Sequence, residues 1–92
     1  MLSLVHGVSF RQEACLRAYR TESKKPKCWL EAEPDNVHDC HAVKVFVNGE
    51  HAGYIPRKIA RRVDLTDKPT MLEMGKYKGT VFFRLSIRSK KC

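Results

Sequence analysis

Residues 42–56, AVKVFVNGEHAGYIP, carry the strongest folding signal in the chain. Val43, Val45 and Val47 fall on one side of an extended backbone, with Lys44 and Phe46 on the other. That is the period of a strand with one buried face. Asn48-Gly49 follows at once, the pair best suited to a tight two-residue turn, so a β-hairpin is predicted.

The flanks extend this pattern. Pro56 suits the first turn of a helix, where a missing amide hydrogen costs nothing. The following RKIARRV places Ile59, Ala60 and Val63 inward and Arg57, Lys58, Arg61 and Arg62 outward. Upstream, CWLEAE alternates Cys28, Leu30 and Ala32 against Trp29, Glu31 and Glu33 until Pro34 ends the strand. Residues 2–8 form a short apolar run compatible with a first strand, in which Gly7 marks a close backbone approach or a bend. In SFRQEACLRAYR, Ser9 with Gln12 fits a capping box, and Phe10, Ala14 and Ala18 share a face, which predicts a helix over about residues 10–18. TESKKPK reads as a solvated loop. Near the end, Val81, Phe83, Leu85 and Ile87 alternate with Phe82, Arg84, Ser86 and Arg88, after a weaker extended piece around 71–78. The expected fold is mainly β with two short helices, a small OB-like β-barrel in which closure removes exposed edges and both chain ends join one sheet. Trp29 is read as a barrel residue in preference to a stacking platform.

Ninety-two residues, 42% hydrophobic, are enough for one domain with one core and exclude a multi-domain enzyme. Eighteen Lys and Arg against ten Asp and Glu leave a charge of +8 and a pI near 9.6. Such a balance attracts nucleic acid through counterion release, and it equally keeps a small protein soluble. The four cysteines, at 15, 28, 40 and 92, show neither zinc spacing nor a disulfide framework. A reducing, cytoplasmic setting is expected, with Cys92 exposed in the basic tail. MLSLVHGVSF lacks the features of a secretion signal and no run approaches ~18 apolar residues, so no membrane partner is expected.

One segment stands apart: EPDNVHDCHAVKV, residues 33–45, crowds acids and histidines into a basic chain. Glu31, Glu33, Asp35, His38, Asp39 and His41 offer hard-metal ligands, but the triplet ending in Lys44 begins with Ala42, so the acid-x-lysine of a metal nuclease is missing. No calcium-loop spacing occurs either. Cys40 and His41, adjacent in an extended chain, would point apart and could not activate one another. A plain structural turn remains open: Pro34, Asp35 and Asn36 favour turns, and Asp39 can accept loop amide hydrogens. So does half of a binding pocket.

VHGVSF near the start and LEAEPDNVHDCHAVKVFVNGEHAGYIPRKIA in the middle, with their spacing, resemble the HIRAN domain family over about residues 5 to 63. The resemblance implies an OB-like barrel that binds DNA, in a family found attached to helicase-like remodelling enzymes and also alone. It further implies a pocket for the free 3′ hydroxyl end of single-stranded DNA. Carried onto this chain, it puts Asn36 and Asp39 in the loop that meets the end, His38 at an aromatic loop position, Phe10 after the first strand, and Tyr54 and Arg57 at pocket and phosphate contacts. Two departures stand out. Asn36-Val37-His38-Asp39 replaces the Asn-Pro-aromatic-Asp of many relatives, and Ser9 stands where some carry an arginine, with Arg11 two places on.

The chemistry suits those residue types. A carboxylate accepts a hydrogen bond from a sugar hydroxyl and repels a terminal phosphate, while aromatic rings stack on bases at ~1–3 kcal/mol each. The expected DNA-binding set is Phe10, Arg11, Asn36, His38, Asp39, Tyr54, Arg57, Lys58 and Arg61, with Phe10 and Tyr54 equally suited to the core; His6 and His51 are read as structural or incidental. No phosphate-binding loop is present, so the domain is expected to be no enzyme, to need no cofactor, and to work beside a helicase or other DNA-processing protein. The alternative is a protein-interaction or accessory module whose basic face meets an acidic protein partner.

Overall fold

The computed structural model describes residues 1–21 and 26–90. In chain order the elements are β1 (Leu2–Leu4), a 3-10 turn (Val8–Phe10), α1 (Gln12–Arg20), β2 (Cys28–Ala32), β3 (Val43–Val47), β4 (Glu50–Tyr54), α2 (Arg57–Ala60), β5 (Thr70–Tyr77) and β6 (Thr80–Ser86). Asn48 and Gly49 both take positive φ, 51° and 86°, and close the β3–β4 hairpin as their side chains require. Lys78 and Gly79 do the same between β5 and β6, a turn the sequence reading passed over.

The alternating strands bury the faces their sequences predict. Val43, Val45, Val47, Val81, Phe83, Leu85 and Ile87 enclose the core with Cys28 and Leu30, and Ala60 and Val63 close it from the α2 side. Ala32, predicted inward, is exposed, because it lies at the end of β2 beyond the core. Trp29 also departs from expectation. It is 37% exposed on the outer face of β2, since the parity that buries Cys28 and Leu30 turns it outward.

The strands form two antiparallel sheets, ordered β1-β6-β5 and β2-β3-β4. Both chain ends do join one sheet: β1 pairs with β6, and Met1 and Ile87 exchange backbone hydrogen bonds. Among the described residues a single bridge links the sheets, where the His6 and Tyr54 amides donate to each other's carbonyls at 2.8 and 2.9 Å. Among the described residues no pairing joins β2 to β5, so the barrel does not close. The helix α1 packs against both β4 and β6 and so covers the side where the two sheets are bridged, while the β2 and β5 edges stay unpaired with each other.

The first segment is shorter as a strand than expected. β1 stops at Leu4, and Gly7, at φ 80° with open space around its Cα, makes a bend and not a close approach. The chain then enters the 3-10 turn, which moves Phe10 out of the helix and leaves it 91% exposed. The inward face of α1 is therefore Cys15 and Ala18, flanked by Leu16 and Tyr19. The capping box is absent as well. Gln12 donates to the Val8 carbonyl at 2.8 Å and accepts the Val81 amide at 3.0 Å, pinning the start of α1 to β6 instead of to Ser9.

Burial pushes the Cys28 thiol up to about 11 and raises Cys15, against a smaller opposing effect of Arg11; both are poor nucleophiles in the folded state. Cys40 is exposed. Cys92 and the loop lysines Lys24 and Lys25 lie outside the described residues. No described helix is long and apolar enough to cross a membrane.

Candidate nucleic-acid interface

The loop from Glu33 to Ala42 is built from its own side chains. Asn36 Oδ1 accepts the amides of His38 and Asp39 at 2.8 and 3.0 Å, and its Nδ2 donates to Glu33 Oε1 at 2.6 Å. Asp39 Oδ1 accepts the His41 amide at 2.9 Å, the turn-forming role foreseen for it. Cys40 and His41 consequently lie in this turn and not in a strand. Glu33 fastens the loop to the sheet by accepting the Tyr54 hydroxyl at 3.0 Å and pairing with Lys44 at 3.1 Å.

Against the loop lies a depression of about 330 Å³, lined by His6, Gly7, Asn36, His38, Asp39, Ala42, Tyr54, Ile55 and Arg57. It sits at the bridge that joins the two sheets. Five of the nine predicted residues meet there: Asn36, His38, Asp39, Tyr54 and Arg57. Asp39 is recessed, its side chain 18% exposed, and its Oδ2 lies 3.7 Å from the Arg57 Nε. Arg57 is 80% exposed, so this long pair holds it loosely and leaves it able to turn toward a phosphate. One oxygen of Asp39 is bound to the loop, whereas the other faces the depression.

Arg11 reaches the same place from the junction of the 3-10 turn and α1, its guanidinium carbon 5.8 Å from the centre of the Tyr54 ring. Tyr54 is half-buried on the outer face of β4, a pocket wall and not a core residue. Phe10, Lys58 and Arg61 are not brought in. Phe10 borders a separate surface hollow with Arg11 and Arg17, Arg61 borders another with Cys40, His41 and Lys90, and Lys58 projects from α2 into solvent. The sequence reading missed His6 and Gly7, which line the pocket, and Glu33, which holds its loop. The signal was available for the first two, since both fall within the VHG of the quoted pattern.

Glu33 also makes the loop sensitive to acid. Its carboxyl is held below the usual carboxylate range, first by the Asn36 amide, then by Lys44 and Tyr54, against a partial desolvation penalty. A carboxyl lowered by folding contributes stability above its unfolded value, and that contribution is lost as the pH falls through its folded value. The urea midpoint of the unaltered chain should therefore drop as pH falls below 4.5, the ordinary value, and Glu33→Gln should flatten that drop.

Among the described residues no three His, Cys, Asp or Glu side chains are grouped to hold a metal ion. The site offers a loosely paired carboxylate oxygen, an imidazole, a phenol ring and guanidinium groups around an open hollow on a basic protein. A small mainly β domain with such a hollow at the seam of its two sheets suits an extended polyanion. The HIRAN domain model matches residues 3–82, and the chain belongs to the HIRAN domain family, a family of nucleic-acid-binding domains. No curated protein and no solved structure matches it.

Proposed function

We propose that this domain binds single-stranded DNA by its free 3′ hydroxyl end, without catalysis, in the cytoplasm, and positions a helicase or other DNA-processing protein at that end. The observation that carries the reading is the placement of Asp39. Its second oxygen, recessed in the hollow and only loosely paired with Arg57 at 3.7 Å, suits a hydroxyl that donates a hydrogen bond. The terminal base would lie against Tyr54 and His38, and Arg57 and Arg11 would meet the phosphates upstream. A strand ending in phosphate brings a second anion to the carboxylate and cannot donate the same bond.

Titrating the chain with a fluorescent oligonucleotide tests this. A free 3′ hydroxyl should bind at least about tenfold more tightly than a 3′ phosphate on the same sequence at the same salt. Equal affinities would remove end recognition.

A further inference from the structure

The outer face of the β2-β3-β4 sheet carries a continuous pile of rings that the end pocket does not use in full. Trp29 stacks on Phe46 with centroids 5.2 Å apart and planes within 10°. Phe46 meets His51 at 5.3 Å, and His51 meets the edge of Tyr54 at 5.1 Å. Tyr54 is a wall of the hollow, so the pile begins at the candidate site and crosses the sheet to its far edge. At that edge stands Trp29, with no strand paired beyond β2 among the described residues. Phe46 lies between two rings, whereas Trp29 has one ring partner among the described residues and remains partly exposed.

This arrangement has the form of an unfinished stack. A nucleobase adds to such a pile by lying on its open end, and an aromatic face accepts any base because every base has a π surface. The surroundings fit a strand of DNA more than an apolar partner. Burial and the nearby charge of Arg11 hold the His51 imidazole below its usual range, so the interior of the pile is uncharged. Positive groups flank it: Lys27 two residues before Trp29, Lys44 beside Phe46 on the same face, and Arg11 over Tyr54. Two acids share that face: Glu31 lies opposite Lys44, and Glu33 pairs with Lys44 at 3.1 Å at the end of the row away from Trp29, which leaves Lys27 as the cation next to the open ring.

We propose that Trp29 is a second stacking site, which takes a base upstream of the 3′ terminus as the strand leaves the pocket over the β2-β3-β4 face. This rests on the end-binding reading, since the pocket sets the strand's starting point. The ring pile sets its course. Binding should therefore gain from strand length only once the oligonucleotide is long enough to reach from the hollow to Trp29.

Trp29 is the only tryptophan in the chain, so its fluorescence reports on this site alone. The experiment compares 3′-hydroxyl oligonucleotides of about 3 and about 10 nucleotides, within the span of a single OB-like domain. The longer strand should quench Trp29 emission and bind about tenfold more tightly, and the shorter should bind without quenching. Trp29→Ala should reduce the longer strand's affinity to that of the shorter, leaving the shorter's unchanged, and Trp29→Phe should retain most of the gain. Thermal unfolding of both variants separates a lost contact from a lost fold. A length gain that survives Trp29→Ala in a folded chain, or no length gain at all, overturns the proposal. Loss of the 3′-hydroxyl preference with the length gain intact overturns the end-binding reading instead.

Discussion

Gly53→Ala should destabilise the domain by about 3 kcal/mol and weaken oligonucleotide binding with it, the upper range for forcing a methyl into a packed interior. A Cβ at Gly53 would collide with the His6 carbonyl oxygen and crowd the Val5 side chain at 2.8 Å. The carbonyl belongs to the backbone and cannot rotate aside. It also accepts the Tyr54 amide, in the single bridge that joins the two sheets. Relief of the clash must push the first segment away from β4, which parts the sheets and opens the hollow between His6 and Tyr54. Gly75→Ala is the control, because there the added methyl meets only the half-exposed Phe82 ring at 3.2 Å, which can yield. Urea unfolding should show a change below about 1 kcal/mol for that variant.

Asp39→Asn should bring the affinities for 3′-hydroxyl and 3′-phosphate ends to within about twofold of each other. Two unit charges about 5 Å apart repel by about 3 kcal/mol at an effective dielectric of about 20. Arg57, 3.7 Å from the carboxylate, offsets part of this, and the remainder is the expected discrimination. Asparagine keeps an oxygen to accept the His41 amide, so the loop's turn persists while the charge goes. Arg57 is released at the same time and becomes available to the terminal phosphate. Asp39→Ala removes both charge and turn, and comparing the two variants separates the electrostatic filter from the shape of the loop. Competition binding with the two end chemistries reads the difference.

Why some of this was legible in the sequence and some was not follows from the range of the forces involved. The β3–β4 hairpin is local: valine parity and an Asn-Gly pair specify it with no help from elsewhere. The meeting of Asn36, Asp39, Tyr54 and Arg57 came from a pattern spread over the middle of the chain, and the structure brings those residues together. Phe10 was misplaced because helical periodicity cannot register a 3-10 turn begun at a left-handed glycine. The aromatic pile was hidden for a related reason. His51 and Tyr54 are three residues apart, which in a regular strand puts them on opposite faces. The register shift against Val45 and Phe46 pairs His51 with Phe46 and Gly53 with Val45, and both rings turn outward. Glu33 looked like one more loop acid, because its partners Lys44 and Tyr54 are adjacent only after β3 and β4 pair. Barrel closure was the inference that reached farthest, and it failed at the β2 and β5 edges, which local strand patterns cannot pair.

The central claim is that the hollow between the Asn36–Asp39 loop and the His6–Tyr54 bridge receives the terminal nucleotide. Mapping backbone amide shifts by NMR on addition of a 3′-hydroxyl trinucleotide tests it most directly. The largest changes should fall on Gly7, His38, Asp39, His41 and Tyr54, and they should shrink when the terminus carries a phosphate. Changes confined to Lys58, Arg61 and Arg62, indifferent to the end chemistry, would contradict it.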